Sequence, residues 1–164
     1  MFQSPVLFDF NREASNEAWY VVDDGVMGGR SQGQFFINDD GNGIFKGSVS
    51  LENNGGFSSV RHQMKPKDLN KYSKFVLRLK GDGKSYQFRC RSNTYERHSY
   101  ITEFETTGDW QTVEINFADM YPAFRGQRLR IPNFRGDKLV EIAFLVGNKK
   151  AERFTLEINQ IRLE

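Results

Sequence analysis

The sequence predicts an all-β protein, either a sandwich or a barrel, and three observations lead to that prediction. Helical periodicity is scarce, whereas short apolar runs recur roughly every ten residues. Clusters of Gly, Asn and Asp separate these runs, as turns separate strands. Aromatic residues make up 14% of the 164 residues and include 15 Phe, so their burial can supply a core. We expect a single domain over residues 1–164.

Ten segments account for most of the expected strands. Each is a short run that contains apolar residues and is bounded by turn residues, and several of the runs alternate between two faces. In chain order they are residues 19–22, 34–37, 44–51, 57–64, 75–80, 86–92, 100–105, 110–117, 139–146 and 153–163.

Turn chemistry predicts how these strands connect. The segment NDDGNG, residues 38–43, favours a β-hairpin because Asp-Gly accepts positive φ. Residues 81–83, Gly-Asp-Gly, are expected to close another hairpin. Pro66 suits a first helical position and predicts a short helical turn near 66–71. Residues 118–138 are expected to form a long ordered loop that contains a short repeat, PAFRGQRL and PNFRGDKL.

The last strand carries a change in its apolar alternation. Phe154 and Ile158 share one parity, whereas Ile161 and Leu163 have the other. One extra residue restores a common face, so the sequence predicts a β-bulge near Asn159.

The totals exclude several functional classes. The chain carries 23 basic and 21 acidic residues, and a net charge of +2 does not favour nucleic acid as a partner. One cysteine, Cys90, excludes an internal disulfide framework and fits a reducing compartment. The N-terminal segment resembles neither a secretory signal nor a transit peptide. With no apolar run long enough to span a membrane, a cytoplasmic protein is expected.

The stretch DDGVMGGRS, residues 23–31, is the most unusual local feature. Its three glycines permit positive φ and close backbone approach. The Val26–Met27 pair is too apolar for an ordinary solvated turn, so we expect one of the two to pack against residues 53–61. A binding surface is expected only where Asp24 and Arg30 remain exposed.

Catalytic and metal-binding motifs are weak. Residues 29–33 match G-x-S-x-G, but a strand rather than a helix is expected after Ser31, which removes the nucleophile interpretation. His62 and His98 are not at metal-ligand spacing. A structural calcium near Asp9, Asp23 or Asp24 is a minor alternative. We therefore expect no enzymatic activity, no cofactor and no metal site.

Two paired motifs carry a family resemblance. The segments WYVVDDGVMGGRS, residues 19–31, and FKGSVSLENNGGFSSVR, residues 45–61, together resemble the complex I intermediate-associated protein 30 family. Residues 68–91, 123–126 and 153–161 are similar to later parts of that family. The resemblance implies a jelly-roll β-sandwich of the galactose-binding-domain-like type. It also implies a non-catalytic role, since mitochondrial members help to assemble respiratory complex I.

Three arginines lie on the non-core faces of expected strands. If the strands that hold Arg61, Arg89 and Arg91 are neighbours, their guanidinium groups line one face, where they can bind carboxylate or phosphate. For Arg89 and Arg91, the favoured alternative is cross-strand pairing with Glu103 and Glu105. Arg61 instead has the option of holding the loop at residues 53–56 through backbone carbonyls.

Residues 118–138 are locally basic and include Arg125, with Phe124 and Phe134 interleaved. Basic and aromatic residues together are typical of single-stranded nucleic-acid binding. A solvated loop anchored by two phenylalanines has the same composition, and the low net charge favours that interpretation. At least one of the two tryptophans is expected to be buried.

The main functional hypothesis is a non-enzymatic assembly module that docks a protein partner. Residues 23–31, 53–56 and 118–138 would form the docking end or face, and respiratory-complex subunits or assembly intermediates are candidate partners. Carbohydrate binding in the sandwich cleft is the alternative, and RNA binding by residues 118–138 is a weaker one. The candidate binding residues are Asp24, Met27, Arg30, Asn54, Arg61, Arg89, Arg91 and Arg125.

Overall fold

Two antiparallel β-sheets enclose an aromatic core in the computed structural model, which describes residues 6–10 and 18–164. Short 3₁₀ turns occur at Asp24–Met27, Glu52–Asn54 and Phe117–Asp119. The strands are β1 Val6–Asp9, β2 Tyr20–Asp23, β3 Gln32–Ile37, β4 Gly43–Val49, β5 Ser58–Asp68, β6 Lys74–Lys80, β7 Ser85–Arg91, β8 Ser99–Glu105, β9 Trp110–Asn116, β10 Tyr121–Phe124, β11 Gln127–Arg128, β12 Lys138–Val146 and β13 Glu152–Leu163.

One sheet has the order β3-β4-β13-β6-β9, with β1 added beside β13, and the other has the order β11-β10-β8-β7-β12-β5-β2. We call them the six-stranded and the seven-stranded sheet. The expected jelly-roll β-sandwich is confirmed, and the ten expected strands correspond to β2–β9, β12 and β13.

The core is built largely from rings that meet between the two sheets. Phe75 of the six-stranded sheet and Phe88 of the seven-stranded sheet have ring centroids 4.9 Å apart. Trp19 is 3% exposed, which confirms that at least one tryptophan is buried, whereas Trp110 is exposed on the surface. Burying an aromatic side chain stabilises a fold by roughly 1.5–3 kcal/mol, so these rings supply the core that the composition indicated.

Two local predictions at turns and bulges are confirmed. The NDDGNG segment joins β3 to β4 as a hairpin, with the backbone N–H of Asn38 donating to the carbonyl of Asn42 at 2.9 Å. The register of β13 against β6 shifts between Ile158 and Gln160, which places the bulge at Asn159.

The hairpin expected at residues 81–83 is wrong, because this turn crosses between the sheets. β6 pairs with β13 and β9, whereas β7 pairs with β12 and β8. Thr106 fixes the crossing, since its hydroxyl accepts a hydrogen bond from Gly83 N at 3.0 Å and donates to the carbonyl of Lys84 at 2.8 Å.

The short helical turn expected near residues 66–71 is also wrong. β5 continues to Asp68, and a tight turn follows in which Tyr72 N donates to the carbonyl of Leu69 at 2.9 Å. Residues 64–66 bulge opposite Val140 alone, because Gln63 pairs with Glu141 and Lys67 with Leu139. Proline lacks an N–H and is tolerated at such a bulge, so Pro66 does not end the strand.

Residues 118–138 contain a hairpin rather than loop alone. β10 pairs with β8 and with β11, and only Arg125 and Gly126 connect β10 to β11. Both connecting residues have positive φ, 51° and 79°, as a two-residue type I′ turn requires. Phe134 is buried and anchors the rest of the segment.

Candidate functional site

The two glycine-containing loops meet at the carboxylate of Asp24. This residue is 1% exposed and accepts hydrogen bonds from Ser31 N at 3.0 Å and Ser31 Oγ at 2.6 Å. The backbone N–H groups of Gly56 and Phe57 donate to it at 2.7 and 3.1 Å. Asp24 therefore joins residues 23–31 to residues 53–61, and the expectation that these loops are built against each other is confirmed.

Glycine is required where the loop backbones close around this carboxylate. A Cβ atom at Gly55 would lie 2.6 Å from Asp24 Oδ2, and one at Gly29 would overlap the Asp24 side chain. At Gly25, by contrast, a Cβ atom would meet nothing within 4 Å. The close approach that the glycines permit is thus to a side chain at the centre of the junction.

Asp24 cannot serve as an exposed binding residue, so that expectation is wrong. Burial raises the pKa of its carboxyl, but the hydrogen bonds from Ser31, Gly56 and Phe57 outweigh it and hold the pKa below its usual value. The carboxylate is ionised at neutral pH and its oxygens are occupied by protein donors. Its role in the site is to position the loops.

Ser31 belongs to the same junction and is not a nucleophile. Its hydroxyl is buried, donates to Asp24 and accepts a hydrogen bond from Ser50 N at 2.9 Å. Strand β3 begins at the next residue, so no helix follows the G-x-S-x-G match.

The remaining candidates in these loops differ in position. Arg30 is exposed and forms an ion pair with Glu52 of the other loop, with 3.7 Å between Nε and Oε2. Such an exposed pair contributes little to stability. The side chains of Met27 and Asn54 lie outside the described residues, so the packing expected of Val26 or Met27 stays a prediction.

Arg61 and Arg89 lie in one row across the outer face of the seven-stranded sheet. Both pair in register with Ala143 of the intervening strand β12. The neighbouring β12 residues Ile142 and Phe144 belong to the core, so Ala143 points away from it. The complete row is Tyr20, Arg61, Ala143, Arg89, Ile101 and Tyr121.

Each arginine of this row donates a hydrogen bond from Nε to a side chain of its own strand. Arg61 Nε donates to Ser59 Oγ at 3.4 Å, and Arg89 Nε donates to Gln87 Oε1 at 2.9 Å. The terminal nitrogens of both make no hydrogen bond or ion pair with any residue that the structure describes. Burial, together with the positive charge of Arg61, lowers the pKa of Arg89 to about 10.

Cross-strand pairing of Arg89 with glutamate, the alternative favoured from the sequence, is wrong. Glu103 lies opposite Gln87 rather than Arg89, and it accepts a hydrogen bond from the Tyr121 hydroxyl at 3.2 Å. Glu105 lies opposite Ser85, further along the strand. Among the described residues, Arg61 donates to Ser59 Oγ and to no carbonyl of residues 53–56.

A second row on this face is centred on Glu141, which is 5% exposed. Its Oε1 accepts hydrogen bonds from the Tyr20 hydroxyl at 3.1 Å and from Gln63 Nε2 at 3.4 Å. Arg91 lies opposite Glu141 on β7 and donates instead to the backbone carbonyl of Glu96. Beside this row is a cavity of about 230 Å³, whose lining includes Gln63, Arg91, Asn93, Tyr95, Lys138 and Glu141.

A larger depression of about 580 Å³ lies over the outer face of the six-stranded sheet. It contains none of the candidate residues. Its lining is mainly polar and includes Gln32, Gln34, Lys46, Ser48, Arg153 and Thr155.

Arg125 lies at the tip of the β10–β11 hairpin, at one edge of the seven-stranded sheet. Its guanidinium carbon is 5.2 Å from the centroid of the Phe124 ring, and that of Arg128 is 4.8 Å from the centroid of Tyr121. This hairpin and the Asp24 junction occupy opposite edges of the seven-stranded sheet. The three loops expected to form one docking end therefore do not gather, and the arginine row lies between them.

The histidines are engaged in packing and local contacts. His62 Nδ1 is 2.6 Å from the carbonyl oxygen of Ala18, and its ring stacks on Trp19. His98 Nε2 is 2.8 Å from Glu96 Oε2. Within residues 6–10 and 18–164, no group of three or more His, Cys, Asp or Glu residues could hold a metal ion. The same ranges contain no helix long and apolar enough to cross a membrane.

Sequence reasoning missed Tyr20, Glu141 and Tyr121 as members of the face. Glu141 could have been identified from the sequence, because it is the one charged residue inside the apolar run LVEIAFLV, residues 139–146. A buried charge inside such a run requires hydrogen-bonding partners. No feature of the sequence identifies the two tyrosines, since only strand register places them beside the arginines.

Comparisons with known proteins bear on both family and fold. The family model described as complex I intermediate-associated protein 30 (CIA30) matches residues 8–158. The mitochondrial protein of that name from Drosophila melanogaster is 24% identical over 190 residues, which cover 99% of this chain and 63% of the relative. Its Mus musculus counterpart is 25% identical over 189 residues, which cover 98% of this chain and 56% of the relative. The chain thus spans about three-fifths of the length of these relatives.

Solved structures show the same fold at low identity. The family 11 carbohydrate-binding module of a Clostridium thermocellum cellulosomal cellulase superposes with a TM-score of 0.69 at 16% identity, covering 99% of this chain and 95% of the module. The family 11 module from Clostridium thermocellum in complex with a β-1,3-1,4-mixed-linked tetrasaccharide gives a TM-score of 0.67, also at 16% identity. This match covers 98% of this chain and 94% of the module.

The curated relatives also correct one expectation. Both are mitochondrial proteins, so the prediction of a cytoplasmic protein is wrong on this comparison.

Proposed function

Since the chain belongs to the complex I intermediate-associated protein 30 family, we propose that it acts as a non-catalytic assembly module that docks a protein partner. The proposed partners are subunits of respiratory complex I or intermediates in its assembly. The family match over residues 8–158 supports this role, as do the two curated relatives, whose names refer to complex I intermediates. Because the chain spans about three-fifths of these relatives, their activity is extended to it only as a proposal.

The outer face of the seven-stranded sheet is the proposed docking surface. The observation that carries this choice is the pair of arginines, Arg61 and Arg89, whose terminal nitrogens have no partner among the described residues. Arginine and tyrosine are enriched in protein interfaces, and Tyr20 and Tyr121 lie at the ends of the arginine row. Docking would give these solvent-accessible donors acceptors on the partner.

A non-catalytic role agrees with the chemistry of the described residues. The serine of the G-x-S-x-G match is buried against a carboxylate, with no histidine as its hydrogen-bond partner. His62 contacts the carbonyl of Ala18, and His98 contacts Glu96 and the Tyr100 hydroxyl, so neither histidine is hydrogen-bonded to Ser31.

A complementation experiment tests this proposal. Source cells that lack the protein are supplied with the wild-type chain, with Arg61→Ala/Arg89→Ala, or with the control Arg78→Ala. Arg78 is an exposed arginine of the six-stranded sheet, beside Trp110. We expect native gels to show reduced mature complex I in cells without the protein and in cells with the double variant, and recovery with the control. Unchanged complex I in cells that lack the protein would contradict the proposed function.

Carbohydrate binding on the same face is the second candidate function. The observation in its favour is the shared fold with a module solved in complex with a mixed-linked tetrasaccharide, together with tyrosines and hydrogen-bonding side chains on the face. Calorimetry with β-1,3-1,4-linked oligosaccharides tests this candidate, and an absence of heat at millimolar ligand would remove it.

A further inference from the structure

We infer that Arg61 and Arg89 form a clamp for a carboxylate, and that the protein partner presents an acidic segment to the outer face of the seven-stranded sheet. The inference rests on the proposed function, since it assigns the chemistry by which that partner is recognised. Its evidence comes from the position, the hydrogen bonding and the charge of the two arginines.

The position of the arginines comes from strand register. β5 and β7 flank β12, and both arginines are paired with Ala143. Neighbouring strands lie about 4.8 Å apart, so the two arginine backbones are separated by roughly 10 Å. Between them the outward side chain is only a methyl group, and Ala143 is nevertheless 4% exposed. The long arginine side chains therefore have room above Ala143, and this part of the face is screened from solvent.

The hydrogen bonding orients each guanidinium and leaves its terminal donors available. Ser59 and Gln87, each two residues before the arginine on the same strand, accept only the Nε–H groups. A guanidinium has five N–H donors in a fixed plane, and the terminal ones match the two oxygens of a carboxylate. Two such groups, each fixed through Nε, can bind a carboxylate with little loss of side-chain freedom.

The charge of the pair is uncompensated within the described residues. No carboxylate of residues 6–10 or 18–164 forms an ion pair with either arginine, and Oε1 of the nearby Glu141 accepts hydrogen bonds from Tyr20 and Gln63. Burial and the repulsion between the two positive charges lower the pKa of Arg89. The negative charge of an incoming carboxylate would favour the charged form of Arg89 and so oppose both effects.

An acidic peptide segment suits the surroundings of this clamp. Tyr20 is 39% exposed at one end of the row and offers its ring for packing, as tyrosines of protein interfaces do, whereas its hydroxyl already donates to Glu141. At the other end, the Tyr121 hydroxyl is already committed to Glu103. The centre of the row thus carries the positive charge of the two arginines, and each end carries a tyrosine.

Fluorescence anisotropy with the purified chain tests the inference. The probe is fluorescein-labelled hexaglutamate, with labelled hexaglutamine as the neutral control. We expect hexaglutamate to bind and hexaglutamine not to bind, with affinity that falls as salt is raised. Arg61→Gln/Arg89→Gln should weaken hexaglutamate binding by about tenfold or more, because charge-assisted bidentate hydrogen bonds are lost. Arg78→Gln, the matched control, should leave the affinity unchanged.

A second variant covers the case in which the double variant fails to fold in a thermal melt. Arg61→Lys keeps the charge and removes the planar fork, and it should give a measurable but smaller loss of affinity. Unchanged affinity in the double variant and in Arg61→Lys would overturn the clamp, as would equal binding of hexaglutamine. Binding of trigalacturonate through these arginines, with no binding of hexaglutamate, would overturn the assignment to a peptide.

The clamp and the proposed function can fail separately. If the complementation experiment succeeds and hexaglutamate does not bind, the clamp is wrong and the assembly role stands. If hexaglutamate binds through Arg61 and Arg89 while complex I is unaffected by loss of the protein, the carboxylate site stands and the complex I role is wrong.

Discussion

A single buried carboxylate, that of Asp24, determines how two loops of this protein are placed. Four hydrogen bonds reach it from residues that are 7 to 33 positions away in the sequence. Hydrogen bonds to a charged group contribute more than neutral ones, and a buried donor left without an acceptor is unfavourable. The junction should therefore be sensitive to small chemical changes at Asp24 and at the glycines around it.

Replacing Asp24 by Asn should destabilise the protein by about 3 kcal/mol, because the charge is lost and an amide N–H₂ then faces backbone donors. Urea unfolding followed by tryptophan fluorescence measures this change. Asp39→Asn, at an exposed position in the β3–β4 turn, is the control and should leave the free energy of unfolding nearly unchanged. Equal effects of the two substitutions would show that Asp24 is not special.

The lowered pKa of Asp24 also predicts a pH dependence. An aspartate titrates near pH 3.9 in the unfolded chain and lower than that in the folded protein. Its contribution to stability is therefore fully present above about pH 4 and is lost as the pH falls through the folded-state pKa. The difference in unfolding free energy between wild type and Asp24→Asn should shrink below about pH 4. A difference that stays constant down to pH 2 would contradict this assignment.

The glycines beside the carboxylate give a matched pair of substitutions. Gly29→Ala places a methyl group against the Asp24 side chain and should destabilise the protein by about 1–3 kcal/mol. Gly25→Ala lies in the same loop with nothing within 4 Å of the new atom, so it should be nearly neutral. Thermal melts of both variants measure the contrast, and the reverse order would rule out this account of the junction.

At the scale of elements, the bulge in β13 shows how one residue sets the orientation of a whole strand. Before Asn159 the strand pairs with β4, and after it the strand pairs with β1, while β6 runs along its other side. The extra residue lets Leu156 and Ile158 on one side and Ile161 and Leu163 on the other all face the core. Without it, the alternation of a strand would turn one half outward.

Deleting Asn159 should therefore prevent stable folding. Ile161 and Leu163 would turn away from the core, and losing the burial of each is worth roughly 1.5–3 kcal/mol, a large share of a typical domain stability. Asn159→Ala keeps the bulge and removes only the side-chain hydrogen bond to Asn42, at 2.9 Å, so it should cost about 1 kcal/mol. Near-ultraviolet circular dichroism distinguishes the two, and a native spectrum for the deletion would contradict the prediction.

At the scale of the whole molecule, local patterns predict strands better than they predict sheets. Ten strands, the NDDGNG hairpin and the bulge at Asn159 follow from apolar alternation and turn residues. The sequence at Gly81–Gly83 predicts a hairpin, but the turn crosses between the sheets. Glycine and aspartate are typical of both kinds of connection, so the sequence does not distinguish them. Pro66 looks like a helix start because the bulge that accommodates it depends on β12, more than 70 residues later.

The candidate site was predictable only in part, for a related reason. The alternation of β5 and β7 places Arg61 and Arg89 on the outer face, but only register shows that both lie opposite Ala143. Asp24 looks exposed in the sequence because its donors Gly56 and Phe57 are distant along the chain. Tyr20 and Tyr121 join the face only when all the strands between them are in place.

The other carboxylate of the loop, Asp23, has a consequence for behaviour at high concentration. Its Oδ2 accepts the backbone N–H of Gly33, on the edge strand β3, at 2.8 Å, and its Oδ1 accepts the hydroxyl of Ser58. An edge strand with free N–H groups can pair with another chain, and a carboxylate that occupies such a group opposes that pairing. Asp23→Ala should therefore aggregate faster than wild type in concentrated solution, as measured by light scattering. Asp23 would in this way keep copies of the protein apart while they remain folded.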